Sequence, residues 1–297
     1  NGSAFAALKH DGTVITWGAW GNGGSSPAAL GIAGADVVEI AAAPSAFAAL
    51  KADGSVIAWC DERGGGSAPS GLSSVKSIVS NTIAFAALRS DGTVVCWDST
   101  RTADQVGVSG GLAAPEGLSD VKRVFAGRAS FVALKNDGSV VSWGDSNSGG
   151  SMSDAVKAQV GSGVVEIVAN DDAYAALKSD GSVVCWGNPD AGGTIPTNKL
   201  NLLNGSISKI VAIQAGFAAL RSDGSVVYWG RISSDAAAST ITLGETNPVK
   251  VVALGDAFSD ERVGTPAAVV LPEINLELSS ASVVEDSGSS LLYVFRR

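Results

Sequence analysis

The 297-residue chain is 45% apolar and only 16% charged, with 37 glycines, three cysteines, one histidine and a formal net charge of −9. That balance excludes a surface built for nucleic acid, which needs clustered Lys and Arg against phosphate. The longest apolar runs fall far short of a membrane span, so a soluble protein without membrane insertion is expected.

In chain order, the first element is Phe5–Gly18 (FAALKHDGTVITWG), and close copies follow at Phe47–Cys60, Phe85–Asp98, Phe131–Gly144, Tyr174–Gly187 and Phe217–Gly230. Their tryptophans, at 17, 59, 97, 143, 186 and 229, lie 42, 38, 46, 43 and 43 residues apart. A period of that size marks a solenoid, propeller or array. In each copy two short apolar runs flank Asp-Gly, the strongest short-range hairpin signal, which predicts a type I′ turn. The turns fall at Asp11-Gly12, Asp53-Gly54, Asp91-Gly92, Asp137-Gly138, Asp180-Gly181 and Asp223-Gly224.

A further strand precedes most hairpins, at Val37–Ile40, Val75–Val79, Val121–Phe125, Val164–Val168 and Ile207–Val211, and Val249–Ala253 repeats the pattern. Strand direction then requires each Gly- and Ser-rich stretch after a Trp to cross back, as a short or irregular fourth strand. Four antiparallel strands repeated radially make a β-propeller blade. The expected fold is therefore an all-β propeller of six four-stranded blades over 1–265. It closes by pairing Lys250–Leu254 with the N-terminal hairpin, which lacks its own first strand. A seventh blade follows instead if Asp256-Ala257-Phe258 opens a degraded copy. Both ends read as internal to a longer protein.

The VKxIVA–x–FAALKxDGSVVxWG unit resembles the regulator-of-chromosome-condensation repeat across roughly residues 1–255, through its Leu, Asp-Gly and Trp-Gly landmarks and the Gly-rich stretch that follows. The resemblance implies a propeller, in that family usually of seven blades. The chain departs from it before the aromatic, where the family has Gly and then His. Here stand Pro44-Ser45-Ala46, Thr82-Ile83-Ala84 and Asp171-Asp172-Ala173. Beyond Thr265 the composition changes. In 266–297, "SSASVVEDSGSSLLYVF" resembles the opening of a Calx-beta sandwich module, cut off midway. That likeness implies a large extracellular bacterial protein. It also makes Glu285 and Asp286 the counterparts of calcium-binding acidic residues, with calcium expected only in an intact module.

No Gly-x-Ser-x-Gly elbow, phosphate loop or zinc spacing is present, so no catalytic residue, cofactor or propeller metal site is expected. His10 sits in a turn. Cys96 and Cys185 share a repeat position with Thr16, Ala58, Ser142 and Tyr228, which marks them as small apolar filler. The Asp of each Asp-Gly reads as a turn former, and Lys9, Lys51, Arg89, Lys135, Lys178 and Arg221 as a solubilising ring at the hairpin ends. Variable loops on a rigid scaffold carry binding. The candidate contacts after each Trp are therefore Trp20, Asp61, Glu62, Arg63, Arg101, Asp104, Asp145, Asp154 and Asp190. The expected function is a non-enzymatic, monomeric scaffold binding a protein or surface glycan within a secreted or cell-surface bacterial protein, adhesin-like in role. The alternatives are a regulatory propeller acting like an exchange factor on an intracellular GTPase, or an enzyme-inhibitor propeller.

Overall fold

The structure is a computed structural model that describes residues 3–31, 33–98, 112–213 and 215–231, and the strand segments 240–241, 250–253 and 292–295. It is an all-β propeller in which each repeat forms one small antiparallel sheet. The first blade is the hairpin β1 (Ala4–Leu8) and β2 (Val14–Gly18). The second is β3 (Val37–Ala43), β4 (Ala46–Lys51) and β5 (Val56–Cys60). The third is β6 (Val75–Ser80), β7 (Ala84–Arg89) and β8 (Val94–Asp98). The fourth is β9 (Val121–Ala126), β10 (Ser130–Lys135) and β11 (Val140–Gly144). The fifth is β12 (Val164–Ala169), β13 (Ala173–Lys178) and β14 (Val183–Gly187). The sixth is β15 (Ile207–Ile213), β16 (Gly216–Arg221), β17 (Val226–Gly230) and β18 (Thr240–Ile241).

Only the sixth blade pairs a fourth strand among the described residues. In the first, second, fourth and fifth blades the chain after Trp turns through short 3-10 segments instead. Their Gly-Gly pairs explain the difference, because adjacent residues without side chains have little to pack in a strand. Beyond the sixth blade, β19 (Lys250–Ala253) pairs antiparallel with β20 (Leu292–Phe295). No described strand pairs with the outer edge of β1. Asp256–Phe258, on which a seventh copy would turn, lie outside the described residues.

The Asp-Gly hairpins differ from the expected type I′ geometry. The six glycines have φ between 76° and 84°, whereas none of the six aspartates has a positive φ. In the first hairpin Gly12 N donates to Lys9 O at 3.0 Å and Lys9 N to Thr13 O at 2.8 Å. This is a type I turn closed by a left-handed glycine. The aspartate stays right-handed because its side chain works forward. Asp11 Oδ1 accepts from Thr13 N at 3.0 Å and from Thr13 Oγ1 at 2.6 Å, and Asp53, Asp91, Asp137, Asp180 and Asp223 do the same with Ser55, Thr93, Ser139, Ser182 and Ser225. These bonds to the charged form hold all six carboxyls below their ordinary range.

Successive blades pack through one repeated contact. Phe or Tyr on the middle strand packs against Trp on the third, stacked in three blades and tilted in two, at centroid distances of 5.2–5.6 Å. The pair then sits on the alanine-rich face of the preceding blade. Phe47 and Trp59 thus bury against Ala4 and Val14, and Phe85 and Trp97 against Ala46 and Ala48. Alanine there lets the sheets approach closely enough for a ring to fill the gap. Among the described residues no alanine face seats the pair of the first blade, where Phe5 is 52% and Trp17 50% exposed, while Phe85 is fully buried.

The six aromatic pairs are therefore unequal in energy. Phe85→Ala is expected to cost about 3–5 kcal/mol, and Phe5→Ala only about 1–2 kcal/mol. Urea midpoints at unchanged slope will separate them; equal losses would contradict this packing.

Candidate interaction rim

Each Trp ends its strand at the edge opposite the Asp-Gly turns, and the variable stretch begins there. In the first blade the 3-10 turn Trp20–Asn22 ends at Gly23, whose φ is 103°. The same device recurs at Gly149 (φ 81°) and Gly192 (φ 85°), where Asp145 and Asn188 cap the turn by accepting from Asn147 N and Asp190 N. The capped turn lies on the next blade. Its glycine carbonyl accepts the indole N–H of that blade's Trp: Trp59 to Gly23 at 3.3 Å, Trp97 to Gly65 at 2.9 Å, Trp186 to Gly149 at 3.1 Å and Trp229 to Gly192 at 3.0 Å. The rim is thus built into the blade interfaces.

The candidate contacts have different fates on this rim. Trp20 is 82% exposed. Asp61 lies beside it, half-buried, and Glu62 is exposed on the next turn. Trp20, Gly21, Ser25, Cys60 and Asp61 line a cleft of about 320 Å³ between the first and second blades. Cys60 bridges its floor: its thiol, pushed up by burial and so kept protonated, donates to Gly21 O at 2.8 Å. Asp145, by contrast, is buried and accepts from Ser148 Oγ at 3.1 Å, so it is a cap and not a surface contact. Asp154 opens the short helix α1 (Asp154–Gln159) and pairs with Lys157 at 3.3 Å. Asp190 is exposed, with its carbonyl accepting from Arg231 N at 2.9 Å. Arg63 falls in the turn Glu62–Gly64. Arg101, Asp104, Glu285 and Asp286 lie outside the described residues.

At the opposite edge the basic ring is interleaved with acid: Lys9 pairs with Asp11 at 3.0 Å and Arg221 with Asp223 at 2.6 Å. His10 is exposed in its turn. Cys185 is buried, and desolvation pushes its thiol well up, so it stays neutral and inert. Among the described residues no three His, Cys, Asp or Glu side chains gather as a metal-ligand set.

A buried polar network between the fourth and fifth blades went unread in the sequence. Tyr174 Oη and Ser130 Oγ lie 2.8 Å apart, and Ser130 Oγ also donates to Ser148 O. Ser148 Oγ shares its one proton between Asp145 Oδ2 and Asp172 Oδ1, each 3.1 Å away, and Arg128 Nε pairs with the latter oxygen at 2.8 Å. The signal was a double departure from the repeat. Tyr174 replaces Phe, and Ser130 stands where other blades have Ala or Gly. Each of Tyr174→Phe and Ser130→Ala is therefore expected to cost about 1 kcal/mol. The double change, which restores the pairing of the other blades, should cost less than the sum of the two. A double-mutant cycle measures this, and strict additivity would refute the coupling.

The regulator of chromosome condensation (RCC1) repeat matches residues 121–149 and 164–192, the fourth and fifth blades. No curated protein matches the chain in sequence. Among solved structures, Prp20p from Saccharomyces cerevisiae, described with its binding properties to Gsp1p and histones, is 19% identical. That alignment covers 77% of this chain and 70% of Prp20p, with a TM-score of 0.47. Yeast RCC1 (Prp20) in its complex with Kap60 is also 19% identical, covering 77% and 68%, with a TM-score of 0.49. Human WBSCR16 is 16% identical over 76% of this chain and 73% of its own, with a TM-score of 0.46. The RCC1 repeat thus matches two of the blades, and the chain folds as an all-β propeller.

Proposed function

We propose that this chain is a non-enzymatic protein-interaction scaffold, working as an adhesin-like part of a large secreted or cell-surface protein. The observation that carries the reading is the division of labour within each repeat. Strands, turn aspartates and aromatic pairs are nearly identical from blade to blade, while the stretches after each Trp differ in length and chemistry. A rigid frame that varies only at one rim is suited to recognition. The low charge, high Gly and Ser content and acidic balance fit an exported protein. A second reading, a regulatory propeller acting on an intracellular protein, draws support from the RCC1-type repeats.

Two measurements test the proposal. On intact cells, added protease should release propeller peptides from the parent protein; complete protection, with recovery from the cytosol, would transfer support to the regulatory reading. For a protein partner captured by cross-linking to the parent protein, combined Trp20→Ala, Glu62→Ala and Asp190→Ala should weaken binding about tenfold or more. Lys51→Ala with Lys178→Ala, on the Asp-Gly face, should leave it unchanged. The reverse pattern would place recognition on the wrong face of this account.

A further inference from the structure

We propose that the Trp20 cleft receives an arginine side chain from a protein partner, with the guanidinium stacked on the Trp20 indole and paired with the Asp61 carboxylate. The inference rests on the protein-binding reading and names the chemistry of one contact within it.

The indole offers the first half of the site. Trp20 replaces Glu62, Ser146 and Pro189 of the corresponding turns. It is the described residue whose large apolar side chain is most exposed, and it contributes little to the core. An indole face is the best aromatic partner for a cation, and a planar guanidinium stacks on it as an ammonium does not. The molecule already uses such contacts internally: Arg123 lies 5.0 Å from the Phe125 centroid and Lys199 4.5 Å from that of Tyr228.

Charge offers the second half. Asp61 lines the same cleft from the position that precedes its turn, with exposed Glu62 beside it. Asp190 adds to the same rim, where Arg128 is held by Asp172. The repeated Lys and Arg positions sit at the far edge, so Asp61 and Glu62, with Arg63 after them in the turn, give the cleft an acidic side in a chain of net charge −9. The volume of about 320 Å³ is ample for one long side chain. The turn that carries Trp20 is braced by the Cys60 thiol on Gly21 O and by Gly23 against Trp59, so the indole is presented on a fixed base.

The test titrates the intact chain with N-acetyl-arginine amide, following the Trp20 indole signal and the backbone amides of Gly21, Ser25 and Asp61 by NMR. Saturable shifts are expected in the millimolar range, with N-acetyl-citrulline amide, which has the same shape without the charge, bound more weakly. Asp61→Asn and Trp20→Ala, the latter read on the backbone amides, should each weaken binding about twofold to fivefold with the melting temperature unchanged. Equal binding of citrulline, or undiminished binding by both variants, would overturn the proposal. So would silence of the cleft up to about 100 mM arginine amide, or shifts with methyl glucoside in place of arginine, which would assign the cleft to carbohydrate. The titration needs no natural partner, so its failure would remove this contact while leaving protein binding elsewhere on the rim to its own tests.

Discussion

One glycine per turn, pressed between an aromatic ring and its own left-handed backbone, is the constraint on which the blade interfaces depend. At Gly23 an added Cβ would lie 2.4 Å from the Phe47 ring, at Gly65 2.8 Å from Phe85, at Gly149 2.7 Å from Tyr174 and at Gly192 2.9 Å from Phe217. Each of these residues also has a positive φ that L side chains rarely adopt. The carbonyl of the same glycine accepts the buried indole proton of the neighbouring Trp, satisfying a donor that would otherwise be costly to bury. Turn geometry, ring packing and polar satisfaction thus meet in one residue. The interface of the third and fourth blades varies the arrangement, with Leu112 O accepting from Trp143 at 3.2 Å.

This contact explains why the unit is repeated. A single three-stranded sheet of this composition has two apolar faces and cannot bury either alone. Each blade supplies an alanine face and a glycine turn to its successor and an aromatic pair to its predecessor. The result is a series of separate cores between blades, each holding one aromatic pair. Among the surfaces that the interfaces leave over is the outward side of the turns after each Trp. Trp20 is the fullest instance, because its turn is pinned on both flanks while its side chain is left to solvent.

Much of the architecture was legible because its signals are local and recur. Asp-Gly between alternating β-formers marked every hairpin, and the Trp spacing marked the blade. The turn type was not, because Asp-Gly alone does not distinguish a type I′ turn from a type I turn ending on glycine. The discriminating residue was the Ser or Thr two positions after each Asp, which draws the carboxylate forward and keeps it right-handed. The fourth strands were inferred from chain direction, which fixes where a segment must go and not how it is folded. Among the rim candidates, Asp145 stands two residues after its Trp, the capping position that Asn188 fills in the next blade, whereas exposed Asp190 stands four after its Trp, within the turn. That offset separates a cap from a surface carboxylate. The Tyr174–Ser130 pair was visible as two departures in adjacent repeats, but their proximity depends on blade stacking, a long-range relation.

The interlocking of turns and rings is tested most directly by hydrogen exchange of the seven indole protons, observed by NMR. Trp59, Trp97, Trp143, Trp186 and Trp229 donate into buried carbonyls and should be protected together, each by orders of magnitude over a free indole, with exchange governed by opening of the blade interfaces. Trp17 and Trp20, exposed on the first blade, should exchange at near-free rates. Uniform exchange of all seven, or protection of Trp17 equal to that of Trp97, would contradict the claim that each buried pair is held by the chain segment that leaves the blade before it.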